Sequence, residues 1–132
     1  MKVVVGFVDS AEGRAALDRA LDECRLRGGE LIMVHNLKPS ASDEETLKYR
    51  ELLEKAEQEI LRDSGVPYTV RKICLGRTPA EELVRVAKEE EAELIVIGLR
   101  RRSPVGKILL GSTAQDVLLN AECAVLAVKA KS

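Results

Sequence analysis

Aromatic residues are nearly missing from this chain, which has no Trp, one Phe (Phe7) and two Tyr (Tyr49 and Tyr68). Single-stranded nucleic acids are bound by stacking bases on such rings, so that kind of recognition is excluded. Long apolar runs are missing as well: nothing approaches the roughly 20 residues that a spanning helix needs. The opening run Met1–Gly6 is too short for a secretory core and Asp9 follows close behind it, so the expectation is a soluble, cytoplasmic protein. Neither sign of charge dominates. Lys and Arg number 21 against 22 Asp and Glu, which leaves no global field for nucleic acid or an acidic membrane.

Cysteine is equally uninformative as a framework. Cys24, Cys74 and Cys123 are far apart, form no CxxC and leave one thiol over in any pairing. All three read as buried apolar thiols. His35 is the sole histidine and ends an apolar run, where a ring is more often held by a backbone hydrogen bond than used as a base. With no base partner near any Ser, Thr or Cys, no nucleophilic catalytic arrangement is legible, and the chain is not expected to be an enzyme.

What is present is a patterned 132-residue chain, 45% hydrophobic and 33% charged, long enough for one self-sufficient core; residues 1–132 read as one domain. Val3–Val8 is a continuous apolar run of strand length, suited to a strand covered on both faces. Ala16, Leu17, Ala20, Leu21 and Cys24 then recur at helical spacing between Glu12 and Arg27, and Gly28-Gly29 supplies the stop. Leu31–His35 is a second strand. Ser42 or Asp43 caps a long helix starting near Glu44, with Leu47, Leu52, Leu53, Ala56, Ile60 and Leu61 on one side and a solvated charged face on the other. Tyr68–Cys74 alternates as an edge strand does. Thr78-Pro79-Ala80-Glu81 opens a third helix whose buried face reads as Ala80, Leu83, Val84 and Ala87. Glu93–Gly98 is strand four. Ser112 opens a helix using Ala114, Val117, Leu118 and Ala121, and Ala124–Val128 is strand five.

Strict strand–helix alternation predicts an α/β fold with parallel strands and right-handed crossovers, helices on both faces, and ligands at the carboxyl ends of the strands. Two segments fall at that edge. One is Asp9-Ser10 after strand one. The other runs from Gly98 through Arg100, Arg101, Arg102 and Lys107 to Gly111-Ser112-Thr113, a glycine- and cation-bearing loop that leads into a helix with free backbone amides. That chemistry suits phosphate. From spacing alone the loop equally fits glycines that punctuate a turn, a capping Ser112 and solvated arginines.

Gly98, Gly111 and Ser112 match, in register, the motif of the universal stress protein family: Gly, two residues, Gly, nine residues, Gly, then Ser or Thr, directly after the fourth strand. The likeness extends through Lys2–Asp9, Ala15–Leu17, Leu31–His35, Gly76–Glu82 and Glu122–Val128, so the sequence resembles that family along nearly its whole length. The resemblance implies a flavodoxin-like sheet of order 3-2-1-4-5 and binding of ATP or a related adenine nucleotide, with magnesium as a possible companion. It implies that Asp9 and the stretch Val34–Asn36 would meet adenine or ribose. Ile97, Gly98, Arg100, Arg101, Gly111, Ser112 and Thr113 would flank ribose and phosphates. It also implies a homodimer through strand five, around Val125 and Ala127, a stress-response role and an unknown protein partner.

Two features depart from the family pattern. Arg101 stands where the motif has its second glycine, so a large side chain occupies a point of close backbone approach. It either closes the pocket or swings out to join Arg100 and Arg102 around phosphate. The turn Ser10-Ala11-Glu12 is one residue shorter than usual. A nucleotide would order the segment Leu99–Leu110 and change a surface that a partner reads; a member with a closed site would act instead as a dimeric signalling or scaffold protein. Other classes lack their chemistry: there is no aspartate at the end of strand three for a receiver, no Ser/Thr-rich loop after strand one for flavin, and neither GxGxxG nor GxxxxGK[ST].

Overall fold

The computed structural model describes residues 1–8, 10–36, 42–73, 78–99 and 110–130. Strand β1 (Lys2–Gly6), helix α1 (Ala11–Arg27), strand β2 (Glu30–Asn36), helix α2 (Asp43–Ala56), a π-helical turn (Glu57–Leu61), strand β3 (Tyr68–Ile73), helix α3 (Pro79–Glu89), strand β4 (Leu94–Leu99), helix α4 (Ser112–Asn120) and strand β5 (Ala124–Lys129) follow in order. The five strands form one sheet in the order β3-β2-β1-β4-β5. Every neighbouring pair is parallel, with Val4 opposite both Ile32 and Ile95.

Because successive side chains of a strand point to opposite faces, the sheet carries two cores. Val3, Val5, Leu31, Met33 and Val96 pack with Leu17, Leu21 and Leu61 on the face of α1 and α2. Val4, Ile32, Ile95 and Ile97 pack with Leu83, Val86 and Val117 on the face of α3 and α4. Val3, Val4 and Val5 are entirely buried, as expected of a central strand covered twice. Each such valine contributes about 1.5–3 kcal/mol relative to exposure.

Local chemistry sets most helix ends. Ser10 caps α1 by accepting the Gly13 N–H at 3.1 Å, and Gly28, at φ 66°, closes it in the left-handed conformation. Ser42, rather than Asp43, caps α2 through the Glu45 N–H at 3.1 Å. Thr78 caps α3 through the Glu81 N–H at 3.2 Å, with Pro79 in its first turn.

The structure corrects several details. β1 ends at Gly6: Phe7 still donates to the Val34 carbonyl at 3.0 Å, but Val8 lies beyond the ladder and is 58% exposed. Only Leu53, Ala56 and Leu61 of the expected apolar side of the long helix are buried, while Leu47 is exposed. The π turn accounts only for the last of these, because its extra residue carries Leu61 rather than Ile60 fully onto the core face; Leu47 precedes it, on a half of the helix where no residue before Leu53 is buried. On α3 the buried set includes Val86 and the fully buried Glu82, and Val84 is only half-buried. The Glu82 carboxylate is held by Arg85 at 2.7 Å. On α4, Leu118 faces solvent and Ala121 ends the helix as its half-buried cap. Cys24 is buried as expected, but Cys123 is half-buried, because it lies in the turn before β5 instead of within a strand; Cys74 lies outside the described residues.

Candidate functional site

Between β1 and β4 the sheet reverses its direction of winding: α1 leaves β1 on one face, and α3 and α4 flank β4 on the other. The crevice at the carboxyl ends of these two strands is where such folds take ligands. The described residues around it are Phe7 and Val8, the first turn of α1, the end of β2, Gly98-Leu99 and the first turn of α4.

The two arms of the crevice are built differently. The first turn of α1 is pressed against both strand ends. A β-carbon on Gly13 would stand 1.9 Å from the Val8 carbonyl oxygen, and one on Gly98 would stand 2.2 Å from the carbonyl oxygen of Glu12. Gly98 therefore admits α1 to the end of β4, a packing role that the sequence does not reveal. Gly13 carries no signal in the sequence for the same reason: there it is a small residue in a first helical turn, and only the fold brings the Val8 carbonyl against it.

At the other arm, α4 begins differently from α1, α2 and α3. Its N-cap is Gly111, extended at φ −70° and ψ 167°, and no side chain caps it. Ser112 is the first helical residue rather than the cap, because the backbone of Gly111 already occupies the capping position. Gly111, Ser112 and Thr113 are all exposed, and a β-carbon on Gly111 would meet no atom within 4 Å. The helix thus offers uncapped N–H groups and the positive end of its dipole at the crevice, free of obstruction by the described chain.

The remaining expected site residues are placed as follows. Val34 in β2 and Ile97 in β4 lie near the carboxyl ends of the two strands that flank β1, but their side chains are buried in the α3/α4 core, so only their backbone is at hand for a ligand. Asn36 is the last residue of β2. Asp9, Arg100 and Arg101, with Arg102 and Lys107, lie outside the described residues. His35, expected to hold a backbone hydrogen bond, is buried with neither ring nitrogen bonded, and its ring packs against that of Tyr49 with centroids 4.5 Å apart. Burial lowers its pKa from the usual 6.5 and the Lys72 charge acts in the same direction, while the nearby Phe7 backbone partly offsets both. A separate cavity of about 350 Å³ lies at the opposite edge of the sheet, lined by residues such as Ala87, Ile95 and Cys123. Its position at the amino ends of the strands argues against it as the ligand site of this fold.

The family model of the universal stress proteins matches residues 1–129. The chain belongs to this family. It is 38% identical over 127 residues to a universal stress protein of Mycolicibacterium smegmatis, an alignment that covers 96% of each chain. Among solved structures, a universal stress protein from Archaeoglobus fulgidus superposes with a TM-score of 0.81 at 37% identity over 98% of both chains. A structure of the universal stress protein from the same organism in complex with dAMP gives a TM-score of 0.78 at 33% identity, again over 98% of both. Members of the family are in general non-enzymatic, and they commonly dimerise. Among the described residues of this universal stress protein, no helix is long and apolar enough to cross a membrane.

Proposed function

We propose that this universal stress protein is a sensor of ATP or a related adenine nucleotide, acting in the stress response as a homodimer. The observation that carries the reading is the start of α4: exposed, uncapped, preceded by an unobstructed glycine, and set at the switch point of the sheet. A phosphate placed there would accept the free N–H groups of the first turn, with the Ser112 and Thr113 hydroxyls as further donors. The binding of dAMP by the Archaeoglobus fulgidus protein supports the adenine class of ligand. Asp9, the end of β2 from Val34 to Asn36, and Ile97-Gly98 would border the nucleoside. Arg100 and Arg101 would supply countercharge, and magnesium would accompany a triphosphate. As a sensor the protein acts by binding, with at most slow hydrolysis of the nucleotide.

The dimer reading rests on the contrast between the two sheet edges. β3 carries Arg71 and Lys72 along its edge, whereas β5 presents exposed Ala124 and Ala127 and a half-buried Val125. An apolar open edge invites strand pairing, and a second copy would bury it around Val125 and Ala127.

The alternative, a dimeric scaffold whose nucleotide site is closed, is favoured by one feature, Arg101 at the position of the motif's second glycine. Calorimetric titration of magnesium-ATP into nucleotide-stripped protein separates the two. Binding that is lost in Gly111→Val supports the sensor. No binding in the parent chain, with affinity gained in Arg101→Gly, supports the scaffold.

A further inference from the structure

The amino-terminal half of α2 is thinly attached. From Ser42 to Arg50 every residue is exposed except the half-buried Thr46, and Leu53 is the first residue of the helix that is buried. One link between this half and the sheet is the ring of Tyr49, tilted 58° against His35. His35 shares its side of β2 with Leu31 and Met33, is 5% exposed, and lies opposite Lys72 in the ladder. Both of its ring nitrogens are buried without a hydrogen-bond partner.

We propose that His35 and Tyr49 form an acid-sensitive latch, which holds the amino-terminal half of α2 on the sheet while the imidazole is neutral and releases it when the ring takes up a proton. A neutral ring fills this place at the cost of unmet hydrogen bonds, whereas an imidazolium there is a buried cation, far more expensive unless paired. The groups that face it from the packed elements are the Lys72 ammonium from β3, the Tyr49 phenol from α2 and the Phe7 backbone from β1. No carboxylate faces it among the described residues. Lys72 repels the charged ring; the Tyr49 face and the Phe7 backbone attract it, but burial outweighs them, so the ring favours its neutral form. The proton is most easily accommodated when the ring reaches water, and the thinly attached half of α2 stands beside it.

The sign follows from linkage. The folded chain binds the proton less readily than the unfolded one, so the latch is intact above about pH 6.5 and weakens as pH falls toward and through the lowered folded value. The latch does not depend on nucleotide binding.

Hydrogen exchange of the full chain, corrected for intrinsic rates, tests it between about pH 7.5 and about pH 5, a window that spans imidazole titration. Amides of residues 43–52 should lose about tenfold protection or more across that range, while those of β1 and α1 hold theirs. In His35→Phe, which keeps a ring but no titrating group, the loss should vanish. Unchanged protection in the parent chain, or the same loss in His35→Phe, overturns the proposal. Should His35→Phe not fold, an NMR titration of the parent chain decides, since His35 is its only histidine. A ring that titrates below 6.5, together with shifts of Tyr49 resonances, supports the latch; a ring at or above the ordinary value overturns it.

Discussion

At Gly98 a β-carbon would stand 2.2 Å from a backbone oxygen of α1, whereas at Gly111 it would meet no atom within 4 Å. One lies near the end of β4 and the other caps α4, and in the family motif they look alike. Gly98 is required by the protein's own packing: α1 docks on the end of β4 because nothing projects from that position. Gly111 answers to no described protein neighbour, and its φ of −70° is open to any residue. A glycine here leaves room for something that approaches from outside, and the uncapped helix behind it suits an anion.

The largest expected effect breaks the packing side of the contrast. Gly98→Ala drives a methyl group into the Glu12 carbonyl, which must shift together with the first turn of α1. The expected cost is about 3 kcal/mol, near the top of the usual range for overpacking. That corresponds to a drop of roughly 10 °C in Tm by calorimetry. A Tm equal to the parent's would show that α1 yields freely and that the close approach has no energetic weight.

Gly111→Val should behave in the opposite way. Its Tm should stay within about 2 °C of the parent, as for other exposed substitutions. Its affinity for magnesium-ATP should fall by more than about tenfold, or about 1.4 kcal/mol. A large fall in Tm would mean that Gly111 is also a packing glycine, and the contrast would collapse.

A smaller effect sharpens the same comparison at two serines. Ser10 accepts the Gly13 N–H at 3.1 Å, so Ser10→Ala should cost about 1 kcal/mol in a urea melt. Ser112 makes no capping bond, so Ser112→Ala should cost under about 0.5 kcal/mol. Equal costs would show that Ser112 acts as a cap after all.

Much of this was readable in the residues. The caps at Ser10, Ser42 and Thr78 are local, made by a side chain to an amide three residues on, so a single sequence specifies them. Ser112 has the residue type of a cap yet makes no such bond, because the choice between it and Gly111 depends on the approach of the chain from the preceding segment. The apolar side of the long helix is less legible: helical spacing marks Leu47 as it marks Leu53, but only the second half of α2 reaches the core, and a π turn at Glu57–Leu61 shifts the phase after it. Glu82 looked like an ordinary first-turn carboxylate; its complete burial depends on what packs over α3. At the site, the sequence pointed to Gly98 and Gly111 together, but it could not separate them, because the partner of Gly98 is 86 residues away at Glu12.

The sequence by itself determined the alternation of strands and helices, the parallel sheet, the edge at which a ligand is sought and membership in a family. Those features arise from periodicity and short-range chemistry, which a linear chain carries in full. Tertiary structure alone decided which glycine serves packing, which helix start stays uncapped and that the sole histidine is buried without a hydrogen-bond partner. Each of these is a contact between segments distant in sequence, and its cost or gain exists only once the sheet has brought them within a few ångströms of one another.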